Sequence, residues 1–204
     1  MNYDVIIIGA GPAGIFTALE LIKKQSGKKI LMIEKGKPVD RRHCPKAEVG
    51  YCVQCKPNCA ITTGFSGAGA FSDGKLSLSR EVGGDFPSLV GEDFAQELID
   101  YTDKIYLEFG ADTKVEGIYE GDEIKLIRKR AIKAGLKLVD CPIRHLGTEK
   151  AQQLYLNIQD YLLDHGVEIL FESECENIIL ENGRCCGVYV KERSTQRTIT
   201  GEHI

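Results

Sequence analysis

Asn2-Tyr-Asp-Val-Ile-Ile-Ile-Gly9-Ala-Gly11-Pro-Ala-Gly14 is the stretch that decides the fold. A short apolar run ending in glycine suits a strand buried on both faces. After it, Ile15, Ala18, Leu21 and Ile22 recur at helical spacing, which predicts a helix over about 12–24. Lys28-Lys29 lead into Ile30-Leu-Met-Ile33, a second apolar run closed by Glu34. Strand, glycine turn, helix, strand and terminal acid follow in the order of the first βαβ unit of a dinucleotide-binding domain.

Each residue of the unit has a mechanical part. Gly9 permits the tight turn, Gly11 lets backbone approach a pyrophosphate, and Gly14 lets the helix pack against the strand. The helix opening at Pro12 and Ala13 aims its amide end and its dipole at the phosphates. Glu34 falls twenty residues after Gly14, where a carboxylate accepts hydrogen bonds from ribose hydroxyls and repels a 2′-phosphate. Gly9, Gly11, Pro12, Ala13, Gly14 and Glu34 are therefore candidate cofactor contacts.

Composition narrows the class. Lys and Arg number 26 against 30 Asp and Glu, a formal charge of −4, which argues against a nucleic-acid binder. Hydrophobic residues at 43% with 27% charged fit a folded globular chain. The apolar run 5–8 is too short to cross a bilayer, and no signal-like segment leads the chain. The expectation is a cytoplasmic protein with no membrane and no nucleic-acid partner.

From Lys35 to about Leu76 there is no clean periodicity, and a long irregular loop is expected. Phe94, Leu98, Tyr101, Ile105 and Phe109 make one helical stripe across 87–109. A second helix is expected over 122–134, with a solvated basic face, followed by a strand over 136–141. Thr148 is placed to cap a helix over about 149–163 that stops at Gly166. Strands follow over 167–171 and 177–181, the Asn182-Gly183 turn marks a hairpin, and strands over 184–190 and 197–204 complete a meander.

The chain resembles the N-terminal segment of flavoproteins with two dinucleotide-binding domains. Glu34-Lys-Gly36, Arg41-Arg42 and Gly64-Phe-Ser-Gly-Ala-Gly-Ala-Phe-Ser-Asp-Gly-Lys-Leu76 further resemble a bacterial family of FAD-dependent dehydrogenases known mainly by its sequences. The resemblance implies a Rossmann-like α/β domain of the glutathione-reductase type, with a parallel sheet and a β-meander, that holds FAD. It divides the chain into an FAD-binding domain of residues 1–79 and 148–204 and an inserted α-rich region, 80–147, on the substrate side. Flavoproteins of this type return a strand from the meander to the parallel sheet, and that strand is expected to be missing here. The pattern stops at Gly201-Glu-His-Ile204, which reads as the N-terminal part of a longer protein. The implied activity is oxidoreduction of a small molecule, with NAD(P)H as a possible electron donor. Two rival readings are a non-catalytic dinucleotide-binding module with a metal-binding cysteine loop, and NAD as the nucleotide.

The resemblance also adds candidates around the cofactor. The Glu-Lys…Arg pattern suggests Lys35 and Arg42 at the nucleotide, Arg42 on the pyrophosphate or as an ordinary surface arginine. Amides of the glycine-rich stretch, notably at Gly67 and Gly69, could surround a flavin or phosphate. Lys75 is a candidate for tuning the flavin potential, and His145, in an expected loop, for proton transfer.

Cys44, Cys52, Cys55 and Cys59 follow the spacing C-x7-C-x2-C-x3-C. A CxxC pair bites one tetrahedral ion, and two further thiolates complete a zinc site or an iron–sulfur site. The same spacing also admits a redox dithiol at Cys52 and Cys55, or four free thiols in a loop.

Overall fold

A computed structural model describes residues 2–204. The first elements are β1 (Asn2–Ile8), α1 (Pro12–Lys23), β2 (Ile30–Ile33) and α2 (Lys46–Val49). Next come β3 (Lys75–Ser77), α3 (Phe86–Val90), α4 (Glu92–Glu108), β4 (Val115–Glu116), α5 (Asp122–Lys133) and β5 (Ile143–His145). The chain ends with α6 (Thr148–Asp164), β6 (Glu168–Leu170), β7 (Ser173–Glu181), β8 (Arg184–Glu192) and β9 (Thr195–His203). The side chain of Thr148, expected to cap α6, lies outside the described residues. Two compact units result, one of residues up to Phe71 with Tyr155–Ile204, the other Ser72–Leu154. The division expected from the sequence falls at 80 and 148.

The first unit is built on a six-stranded sheet in the order β6-β2-β1-β9-β8-β7. β1 pairs in parallel with β2, Val5 opposite Ile30 and Ile8 opposite Ile33, and β2 pairs in parallel with β6. Tyr3, Ile6, Leu31, Ile33, Val188, Val190 and Ile199 form one buried cluster on this sheet. β2 is buried at every residue, as expected of a strand covered on both faces. Asn182 and Gly183 both take positive φ, 50° and 78°, the conformation of the tight turn that joins β7 to β8.

β9 corrects one expectation. The strand thought missing is β9 itself, which pairs antiparallel with β8 from Thr195 to Thr200. Its last residues then lie parallel to β1, with Asn2 opposite Thr200 and Val5 opposite His203. The crossing is tight enough that a Cβ on Gly201 would meet Ile6 Cδ1 at 2.8 Å.

The second unit carries a three-stranded sheet, β3-β5-β4, antiparallel throughout. Here three further expectations fail. Residues 136–141 pair with no other strand, and Leu136 and Leu138 stay exposed; a strand needs a partner for its backbone groups. The ladder begins instead with Ile143, so His145 ends a strand rather than sitting in a loop. The stripe over 87–109 is broken at Gly91, whose φ of 91° separates α3 from α4. Ala95, Ile105 and Tyr106 are the buried positions of α4, while Phe94 and Tyr101 are exposed. An internal anchor holds this unit together. Arg144, buried on β5, donates Nε–H to Asp103 Oδ1 at 2.5 Å and Nη2–H to Oδ2 at 2.7 Å, and its third nitrogen reaches the Asp112 carbonyl.

Residues 35–71 are largely irregular, as expected, but are pinned by short 3₁₀ turns at Val39–Arg41 and Gly67–Phe71 and by α2.

Candidate dinucleotide site

The turn after β1 is set by Gly9, at φ 95°, whose N–H donates to Ile33 O at 2.8 Å. Gly11 is the residue preceding α1, with φ −76° and ψ 178°, and no side chain caps the helix. Pro12 opens α1, where its missing N–H costs nothing. Gly14 has a different constraint: a Cβ there would run into the Gly9 carbonyl oxygen and come within 3.0 Å of Ile7 Cγ2. A Cβ on Gly11, in contrast, would meet no atom within 4 Å. One glycine is needed for packing, and the other fronts open space beside an uncapped helix start.

Glu34 is buried at 6% exposure. Its Oε2 accepts the Ala10 N–H at 2.9 Å and its Oε1 the Gly36 N–H at 2.8 Å. Its backbone is also fixed, donating to Leu170 O and accepting from Ser173 N. The carboxylate is thus clamped against the fingerprint loop, and each oxygen keeps acceptor capacity for a further donor. The Gly11 cradle, the uncapped helix and the rigid acid fit the phosphates and ribose of an adenine dinucleotide.

The glycine-rich stretch docks on this loop. Ser66 donates its N–H to Ala10 O at 2.7 Å, and its hydroxyl accepts the Ala70 N–H at 3.1 Å. Phe65 N–H reaches Lys37 O at 3.1 Å; a Cβ on Gly36 would run into the Gly64 backbone, and one on Gly64 would meet Lys37 O at 2.6 Å and Arg42 Cδ at 2.7 Å. Gly67 takes φ 59° in the turn, and Gly69 lies under the Tyr155 hydroxyl, 2.9 Å from where its Cβ would be. Ser66 and the buried Gln159, which accepts the Val39 N–H at 3.0 Å, carry no motif that singles them out in the sequence.

Arg42 takes a different part from the one expected at the pyrophosphate. It is buried at 5% exposure, donating to Ala60 O at 2.9 Å, to Phe65 O at 2.6 Å and to Ile61 O. Its guanidinium also stacks 4.5 Å from the Phe71 ring centroid. Burial lowers its pKa, opposed by the charges of Glu34 and Cys59. In this arrangement it organises residues 60–71. Lys35 is exposed and borders a cavity of about 560 Å³.

The four cysteines are brought to one small cavity of about 150 Å³, but the expected metal site is not formed. Among the described residues no three His, Cys, Asp or Glu side chains are arranged to hold an ion. Each end of the loop is pinned separately: the Cys44 carbonyl accepts from Ala47, and the Cys59 carbonyl from Thr62 and Thr63. All eight cysteines are free thiols.

In the second unit, Lys75 and His145 are brought together, directly opposite each other in the β3–β5 register. Lys75 pairs with Asp73 at 2.8 Å. That hydrogen bond raises the lysine pKa and lowers that of the carboxyl. Among the described residues no helix is long and apolar enough to cross a membrane.

A mixed sheet with a parallel β6-β2-β1-β9 part, this glycine loop and this clamped acid define a dinucleotide-binding α/β domain. The chain belongs to the FAD binding domain family, whose model matches residues 4–204. It is 26% identical over 189 residues to an uncharacterised protein of Clostridium beijerinckii, covering 93% of this chain and 28% of that one. The fold is similar to 3-ketosteroid-Δ4-(5α)-dehydrogenase from Rhodococcus jostii, with TM-score 0.62 and 14% identity, over 98% of this chain and 44% of that one. It is also similar to glycerol-3-phosphate dehydrogenase from Bacillus halodurans complexed with FAD, with TM-score 0.51 and 16% identity, over 98% and 33%. The chain therefore spans less than half the length of each of these three.

Proposed function

We propose that this chain is the FAD-holding part of an oxidoreductase acting on a small molecule, with a nicotinamide as electron donor. The observation that carries the reading is the open space in front of Gly11 at the uncapped start of α1, in the same loop whose Ala10 N–H is held by the Glu34 carboxylate. FAD, when bound, supplies a ring that takes up a hydride or electrons. The residues of this chain bind and orient it. The amide end of α1 receives the pyrophosphate, Gly11 allows the close approach, and Glu34 accepts the ribose hydroxyls. The fixed negative charge of Glu34 also repels a 2′-phosphate. Ser66, through Ala10, holds the turn 67–71 beside the same loop, where the N–H groups of Gly67, Gly69 and Ala70 are engaged within the turn and keep it closed. Lys75 is proposed to tune the flavin potential, and His145 to hold and move a proton.

An anaerobic visible spectrum of the purified chain, with FAD added and the excess removed, tests this. Retained flavin bands that bleach on addition of NADH are expected. FAD that washes out completely while NAD binds would overturn the reading. FAD that binds and resists reduction by NADH would favour a non-catalytic module.

A further inference from the structure

The cysteine loop has no part in the reading above, and its geometry carries a chemistry of its own. Of the four cysteines on the small cavity, Cys55 and Cys59 also border the larger one of about 560 Å³. Cys59 is exposed and Cys55 half-buried. The larger cavity is bordered by Lys35, Lys37, Lys56, Lys191 and Arg193, against the carboxylates of Glu172 and Glu174. This surplus of cations draws anions toward the two sulfurs.

We propose that Cys59 and Cys55 are a thiol–disulfide exchange pair that takes a small anionic disulfide from the larger cavity. The Cys59 thiolate attacks one sulfur of R–S–S–R, forming Cys59–S–S–R and releasing RS⁻. Cys55 loses its proton to solvent, attacks the Cys59 sulfur and releases the second RS⁻. The pair is oxidised by two electrons as the disulfide is reduced by two. Cys59 is the attacking sulfur because backbone N–H groups of Ile61 and Thr62, then the Thr62 hydroxyl and the Arg42 charge, favour its thiolate. Cys44 and Cys52, which border only the smaller cavity, take no part.

The test uses the reduced chain without flavin, so its outcome is independent of FAD binding. It is mixed with the dianionic disulfide of thionitrobenzoate and, separately, with dicationic cystamine. Each rate is divided by that of a free cysteine derivative. A fast release of two equivalents of thionitrobenzoate is expected, with the normalised rate about tenfold or more above that for cystamine at low salt and the gap closing as salt rises. Cys59→Ser removes the fast phase. Cys55→Ser keeps the first release at the parental rate and stops there, leaving a mixed disulfide visible as added mass. Cys44→Ser and Cys52→Ser release both equivalents as the parent does. Circular dichroism checks that each variant is folded, and the comparison of disulfides on the parent needs no variant. A fast phase that survives Cys59→Ser, two equivalents from Cys55→Ser, trapping in Cys44→Ser or Cys52→Ser, or equal normalised rates for the two disulfides would each overturn the proposal.

Discussion

Gly11→Ala and Gly14→Ala place the same methyl group three residues apart and are expected to do opposite things. At Gly11 the backbone already sits at φ −76°, ψ 178°, ordinary for alanine, and the new Cβ meets nothing within 4 Å. Fewer unfolded conformations then stabilise the fold by about 0.4–1 kcal/mol. The methyl occupies the space a pyrophosphate must enter, however. Losing one charge-assisted hydrogen bond costs about 1.5–3 kcal/mol, which weakens FAD binding about 10- to 150-fold at 1.4 kcal/mol per tenfold. At Gly14 the methyl meets the Gly9 carbonyl oxygen and Ile7. A backbone oxygen cannot turn aside as a side chain does. Overpacking of this kind costs about 1–3 kcal/mol, more than helix propensity returns, about 1 kcal/mol. Urea unfolding and quenching of flavin fluorescence, measured on both variants, separate the two effects. Parental FAD affinity in Gly11→Ala would refute the cradle, and a parental urea midpoint in Gly14→Ala would refute the packing role.

Glu34→Gln leaves a side-chain NH₂ facing one of the two backbone N–H groups the carboxylate now accepts. A loss of about 1–3 kcal/mol is expected in urea melts, together with weaker FAD binding. Tyr3, whose hydroxyl donates to Glu168 at 2.7 Å, has its pKa pushed up to about 12 by burial and then by that carboxylate. Because the folded value lies above the unfolded one, the contribution is complete below pH 10 and is lost as pH rises toward 12. Stability of the parent should therefore fall across that window more steeply than that of Tyr3→Phe, and parallel curves would count against the assignment. Asp103→Asn breaks the pair between half-buried Asp103 and buried Arg144 and should destabilise the second unit by about 1.5–3 kcal/mol. Hydrogen exchange at Ile143–His145 reads the loss locally, and unchanged protection there would show that the pair anchors nothing.

The first βαβ unit is legible because its strongest constraints are short in sequence. Gly14 answers to Gly9 and Ile7 and Gly9 to its own positive φ, between two continuous apolar runs and a helix of regular spacing. Glu34 could be found from its distance along the chain, though not the two N–H groups that clamp it. What could not be read depends on distant partners. Arg42 looks like any arginine until the loop 60–65 folds over it, and Ser66 gains its place only by meeting Ala10. Leu136 to Cys141 has the composition of a strand, but a strand needs a neighbour, and the ladder lies instead at Ile143–His145. The cysteine spacing suggests a tetrahedral site, yet the four residues share one cavity without three of them being arranged to hold an ion, a matter of side-chain placement that spacing alone does not set.

The pairing of β1 with β9 joins residues almost two hundred positions apart: Thr200 Oγ1 lies 3.1 Å from Asn2 Oδ1. A ring of that size closes slowly but not expensively, since closure entropy grows only with the logarithm of its length. The burden falls on timing. During synthesis β1 is made long before β9, and its β9 flank stays an open edge until the residues that separate the two have left the ribosome. The dinucleotide loop therefore hangs from a strand that waits, exposed on that flank, while almost two hundred further residues are made.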